Sequence, residues 1–276
     1  MTITVTTLGT GSPLPDPNRA GPSTLIEAAG TRLLVDTGRG VVMRLAAAGA
    51  LPTMLDAVLL THLHSDHISD LNDVVTTHWV MNRNSSFRLH IYGPRGTKQM
   101  VDGLLAMLGA DISYRVAHHD DLDYGPQLEV HELDAPCELQ IGSTQISVRR
   151  TSHQPVEPSI GYRIVHDGKA VAIAGDTLPC TGLDELCERA QIYVQTVIRS
   201  DFVLLVPNPR FHDIIGYHST MQQAAETASR NQVRTLVATH FIPPLSPETR
   251  DGWLALATEH FAGEIVLADD LTKVEA

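Results

Sequence analysis

Residues 57–71 read AVLLTHLHSDHISDL, an apolar run that passes through Thr61 into His62, His64, Asp66 and His67. The unbroken run from Ala57 to Thr61 predicts a strand buried on both faces, the kind found inside a covered parallel sheet. The histidines fall just past its carboxyl end, where α/β folds place their sites. An isolated histidine is usually structural, but four titratable side chains in six positions have the density of a metal site. In an extended backbone, positions 62 and 64 project to one side, while Asp66 and His67 turn away at the start of the following helix. The stretch therefore offers ligands to two cations.

A metal pair needs further donors, and the same pattern recurs downstream. The apolar strands in ISVRRTSH, AVAIAGD and TLVATH end in His153, Asp176 and His240. Imidazoles suit zinc and a carboxylate can bridge two ions. The expected partition puts His62, His64 and His153 on one metal, Asp66, His67 and His240 on the other, and Asp176 between them. Manganese or a mixed pair is the alternative to two zinc ions. Asp36, in VDTGRG, is expected to brace a metal ligand from outside, as carboxylates behind ligand histidines do. In the loop GTGSPLPDPNRAGPS, Ser12 and Arg19 are the donors able to meet an anionic substrate. The remaining histidines, His78, His90, His118, His119, His131, His166, His212 and His260, have no ligand spacing and are read as surface or core.

Around this site, short strands alternate with helices. Strands are expected at 2–8, 23–27, 32–36, 57–61, 89–92, 145–149, 161–165, 170–174, 192–197, 235–238 and 264–268. Helices are expected at 41–50, 71–81, 97–108, 183–190, 220–231 and 247–260. No repeat, low-complexity tract or linker divides the chain, so residues 1–276 are read as one α/β domain with two sheet-bearing halves. With 43% hydrophobic residues, 276 residues can bury a substantial core. The 20 basic and 32 acidic residues leave a charge of -12, which repels polyanions and supplies no basic footprint. Three cysteines without paired spacing, an amino-terminal stretch without a leader pattern and no apolar run of ~18 residues point to a cytoplasmic protein with no membrane partner.

The string from Thr61 to His67, the Asp176 in AGDT and the late His240 resemble the metallo-β-lactamase superfamily over nearly the whole chain. LGTGSPLPDPNRAGPS, LLVDTGRG, IYGPRG and GYHSTMQQAAETA are further similar to the ribonuclease Z branch, which includes small bacterial phosphodiesterases with arylsulfatase activity. The resemblance implies an αββα sandwich, a dinuclear zinc centre at one sheet edge and a homodimer. It also implies that His218, in GYHST, is a general acid, 240 - 218 = 22 positions before the last ligand. Two departures stand out. Only 176 - 153 = 23 positions separate His153 from Asp176, which leaves no room for the long tRNA-gripping arm of the branch. Gln195 and Thr196 stand where its His-Glu-Ala-Thr run begins.

The chemistry expected is hydrolysis by a hydroxide bridging two zinc ions, with Asp66 both ligating and orienting it and His218 protonating the departing oxygen. The missing arm and the acidic charge favour small phosphodiesters or aryl sulfate esters over nucleic acid. Processing of tRNA 3' ends, a lactone or other ester hydrolase, and a non-catalytic metal-binding scaffold are the alternatives. The complete ligand set argues against the scaffold.

Overall fold

In β-strands, alternate side chains take opposite faces, and here both faces are covered. The computed structural model describes residues 2–82 and 86–276. Its strands are β1 (Ile3–Gly9), β2 (Ser23–Ala28), β3 (Thr31–Val35), β4 (Ala57–Leu59), β5 (Leu89–Pro94), β6 (Leu128–Leu133) and β7 (Cys137–Ile141). The series continues with β8 (Thr144–Arg150), β9 (Ile160–His166), β10 (Lys169–Ile173), β11 (Ile192–Ile198), β12 (Thr235–Ile242), β13 (Glu264–Leu267) and β14 (Thr272–Glu275). They form two seven-stranded sheets, ordered β14-β1-β2-β3-β4-β5-β6 and β13-β12-β11-β10-β9-β8-β7. Leu33, Val35, Ala57 and Leu59 from the first sheet meet Ile146, Tyr162, Val171 and Val194 from the second in the central core.

The opposite faces carry the helices. Leu34, Val58, Leu60 and Ile91 pack under helices Val41–Ala47, Leu71–Met81 and Thr97–Met107. Ala172, Tyr193, Leu236 and Ala238 pack under Thr181–Cys187, Met221–Arg230 and Arg250–Thr258. The layers are therefore αββα, as the resemblance implied. Strand β4 lies between parallel neighbours, and this double coverage explains its uninterrupted apolar run.

Most elements fall within a few residues of their expected bounds. The helix Gly109–His118 and the strands β6, β7 and β14 were not expected. All three strands are sheet edges. β14 pairs antiparallel with β1, Thr4 facing Glu275. Cys137, Cys180 and Cys187 are unpaired. Among the described residues, no helix is long and apolar enough to cross a membrane.

Candidate metal centre

Strands β3 and β4 run parallel, and so do β10, β11 and β12. β8 is antiparallel to β9, which is antiparallel to β10, so β8 runs with β10. Asp36, the 62–67 loop, His153 and Asp176 thus leave carboxyl ends at one rim of the sandwich, where His240 lies near the end of β12. The two sheets are tied at this rim. The buried Tyr162 hydroxyl of β9 donates to the Leu60 carbonyl at 2.6 Å, and the Ile160 amide donates to the Thr61 carbonyl. Three residues here have φ values that L side chains rarely adopt. Asp36 and His240 lie at +59° and +52°, strain of the order of 1–3 kcal/mol each that the surroundings hold in place. Gly175 lies at +65°, and a Cβ on it would come within 2.8 Å of the Thr61 side chain; only glycine can deliver Asp176 here.

Hydrogen bonds fix which ring nitrogen of His62, His67 and His153 is free. Thr61 gives its hydroxyl hydrogen to Asp36, so its oxygen is left to accept from His62 Nδ1 at 3.1 Å, and His62 Nε2 keeps its lone pair. His67 Nδ1 donates to Asp36 Oδ2 at 2.8 Å, and His153 Nδ1 donates to the Tyr217 carbonyl at 2.8 Å. Asp36, which also accepts from the Thr61 amide, is therefore the brace for the loop and for His67. His62 Nε2 and His153 Nε2 stand 3.1 and 3.2 Å from His64 Nδ1. Asp66 Oδ2 is 3.1 Å from His240 Nε2 and 3.6 Å from His67 Nε2. Asp176 Oδ2 faces His67 at 3.3 Å, His62 and His240 at 3.8 Å, and His153 at 3.9 Å.

The seven residues read from the sequence thus meet in two adjoining donor groups, His62-His64-His153-Asp176 and Asp66-His67-His240, with ligand atoms within 4.8 Å of one another in each. The chemistry of these groups fits divalent cations. Ligand nitrogens on one tetrahedral zinc lie ~3.3 Å apart at Zn–N ~2.05 Å, the spacing of the three converging imidazoles. His67 Nε2 and Asp176 Oδ1 are buried with no hydrogen-bond partner, an arrangement that costs free energy unless a ligand meets them. Burial holds the His62 and His64 pKa values low and takes His153 down to about 4, so these rings are neutral and ready to ligate. Burial also acts to lower His67 and His240, but Asp176, with Asp36 or Asp66, outweighs it and raises both. These two protons neutralise carboxylates that a cation would otherwise satisfy.

His218 lies 3.2 Å from Asp176 Oδ2 through Nε2, and its Nδ1 donates to the Ile214 carbonyl at 3.0 Å. That carbonyl orients the ring in place of a histidine-glutamate pair. Gln195 and Thr196 are buried in bonds to Tyr193 and Gly175, whereas the bonds of His218 go to Ile214 and Asp176. Ser219 and Thr220 anchor the other side, Ser219 Oγ on the Thr177 carbonyl and Thr220 in a capping box with Gln223.

Arg19, expected to meet substrate, has its guanidinium engaged within the protein by Asp269, Thr10 and the Leu245 and Ala268 carbonyls, so it pins the loop to the β13–β14 connection. Ser12 is buried with its hydroxyl unpartnered and does not line the cavity beside the metal centre. The loop contributes Pro13 and Leu14 instead. With Phe211, Ile214, Tyr217 and Ile242 they wall a cavity of ≈ 180 Å³ that opens onto His64, Asp66, Asp176 and His218. No pattern in the sequence marked Phe211 or Ile214, which lie on the one-turn helices Pro209–His212 and Asp213–Gly216, too short to show a hydrophobic period; Tyr217 stands inside GYHST, beside His218.

Comparison with known proteins agrees with this geometry. A family model described as a beta-lactamase superfamily domain matches residues 31–241. A ribonuclease Z of Mycobacterium marinum is 50% identical over 274 residues, covering 99% of this chain and 98% of its own length. The metallo-β-lactamase fold protein YhfI from Bacillus subtilis superposes with a TM-score of 0.75 at 22% identity, over 100% of this chain and 99% of the other. Human tRNase Z, short form, superposes at 0.71 with 22% identity, over 98% of each chain. The chain is thus a metal-dependent hydrolase that belongs to the metallo-β-lactamase superfamily and, within it, to the ribonuclease Z branch.

Proposed function

We propose that the chain is a two-zinc ribonuclease Z that cleaves RNA phosphodiesters at the 3' side of tRNA precursors. The observation that carries this reading is the half-identity over the full length to the M. marinum ribonuclease Z, together with the complete donor set. It replaces the small-ester reading as the leading one. The absent arm had favoured small esters, but the relative aligns over 98% of its own length and has no room for such an arm either. The charge of -12 alone does not separate the two readings.

When bound, two zinc ions supply Lewis acidity and an acidified water near neutral pH. The chain's own residues do the rest. Asp66 and Asp176 hold the donor groups at fixed spacing around the scissile phosphate. The Ile214 carbonyl fixes the His218 ring so that a proton at Nε2 can pass to the departing ribose oxygen. Leu14, Phe211 and Tyr217 exclude water from one side and offer flat apolar surface to the nucleotide beside the cleaved bond. The same wall suits an aryl leaving group, so a chromogenic aryl phosphodiester is a secondary substrate.

The test sets a precursor tRNA and bis-nitrophenyl phosphate against one zinc-loaded preparation in one buffer. Removal of the 3' trailer at a single position, with kcat/KM well above that for the small diester, is the expected result. Turnover of the diester with the precursor untouched would return the small-ester reading.

A further inference from the structure

Outside the metal centre, the parallel pair β5 and β6 brings together three ligating side chains that sequence spacing left apart. His90 faces Glu129 in register and Tyr92 faces His131. Alternation puts all four on one face, the one on which Tyr92 packs against the inter-sheet core. His90 Nδ1 lies 3.2 Å from His131 Nε2, and the Glu129 carboxylate faces both rings, at 3.9 Å from His90 and 3.5 Å from His131. Among the described residues, this is the one candidate ligand group that shares no residue with the metal centre. His90 stands at the amino end of β5, whereas the ligand loops leave carboxyl ends. His131 lies mid-strand in β6, so the group sits on the strand ladder at the sheet edge and not on the rim that carries the ligand loops.

We infer that His90, Glu129 and His131 form a second cation site, separate from the hydrolytic centre, for a borderline divalent transition ion such as zinc. A hydrogen bond between two neutral imidazoles accounts for their approach but not for a carboxylate directed at both. The nitrogen spacing matches the ~3.3 Å between two ligands on one tetrahedral zinc. The backbone positions are set by the strand ladder rather than by a loop. Tyr92 stacks on the His131 ring at 4.3 Å between centroids, with planes 12° apart, and holds its orientation. The side chains are 39%, 47% and 31% exposed for His90, Glu129 and His131, so an ion enters from solvent and water completes its shell. Bound there, it clips the edge strand β6 to β5. β6 in turn carries Glu132, which accepts from the Gly96 and Lys98 amides at the start of helix Thr97–Met107.

The test compares metal content by elemental analysis, after zinc loading and desalting, in the wild type and in a His90→Asn/His131→Gln double variant. Fewer zinc ions per chain by one in the variant, with hydrolysis retained, is the expected result. A difference of one is read whatever the hydrolytic centre holds. Glu129→Gln, a milder change at an exposed position, should weaken zinc binding at this site at least tenfold without altering the circular dichroism spectrum. Equal zinc content in all three proteins, each folded, would overturn the inference.

Discussion

His218 is held by a single bond from Nδ1 to a main-chain carbonyl, and its other nitrogen points at Asp176. Removing the ring takes away a proton donor without taking a ligand from the four-residue or the three-residue donor group. His218→Ala should therefore keep its zinc and lose ~10²–10⁴-fold in rate on an RNA or alkyl leaving group, but far less on a nitrophenyl ester, which departs unprotonated. Equal losses on both would remove the acid role. Asp176→Asn should lose metal content and all turnover together, because this carboxylate belongs to one donor group and faces His67 and His240 of the other. Asp36 touches Thr61 and His67 but belongs to neither donor group and does not line the cavity beside the metal centre, so Asp36→Asn should weaken metal affinity ~10–100-fold, read by chelator competition, with folding intact.

At the level of elements, the helix Met221–Arg230 begins in a capping box whose cap, Thr220, lies two residues from His218. Thr220→Ala should cost ~1 kcal/mol and lower the thermal midpoint by ~2–4 °C, measured by calorimetry. The central strands were legible because coverage on both faces writes long apolar runs. The ligands were legible because they cluster at the ends of those runs. β6, β7 and β14 were not, since an edge strand is half solvated and alternates residues such as Glu129, Glu138 and Lys273 with its apolar ones. The engagement of Arg19 was equally hidden: its partner Asp269 lies 250 positions away. His90 and His131 looked like isolated histidines for the same reason, because the strand that pairs them was not foreseen.

Over the whole molecule, the proposed function requires an acidic chain to hold a polyanion through local contacts at the metal rim. Precursor tRNA cleavage should consequently show KM rising steeply between 50 and 200 mM salt, while turnover of the small diester barely changes; parallel salt profiles would mean that few phosphates beyond the scissile one are held. Both sheets supply donors, so chelation should lower the thermal midpoint as well as abolish activity, and zinc should restore both. The pairing of β1 with β14 bears on how the chain is made. Thr4 meets Glu275, 275 - 4 = 271 positions later, so one side of β1 waits for its neighbour until those residues have been made. Until then it is a bare template for other chains. Yield in cells should depend on ribosome-associated chaperones more than the stability of the finished protein would suggest.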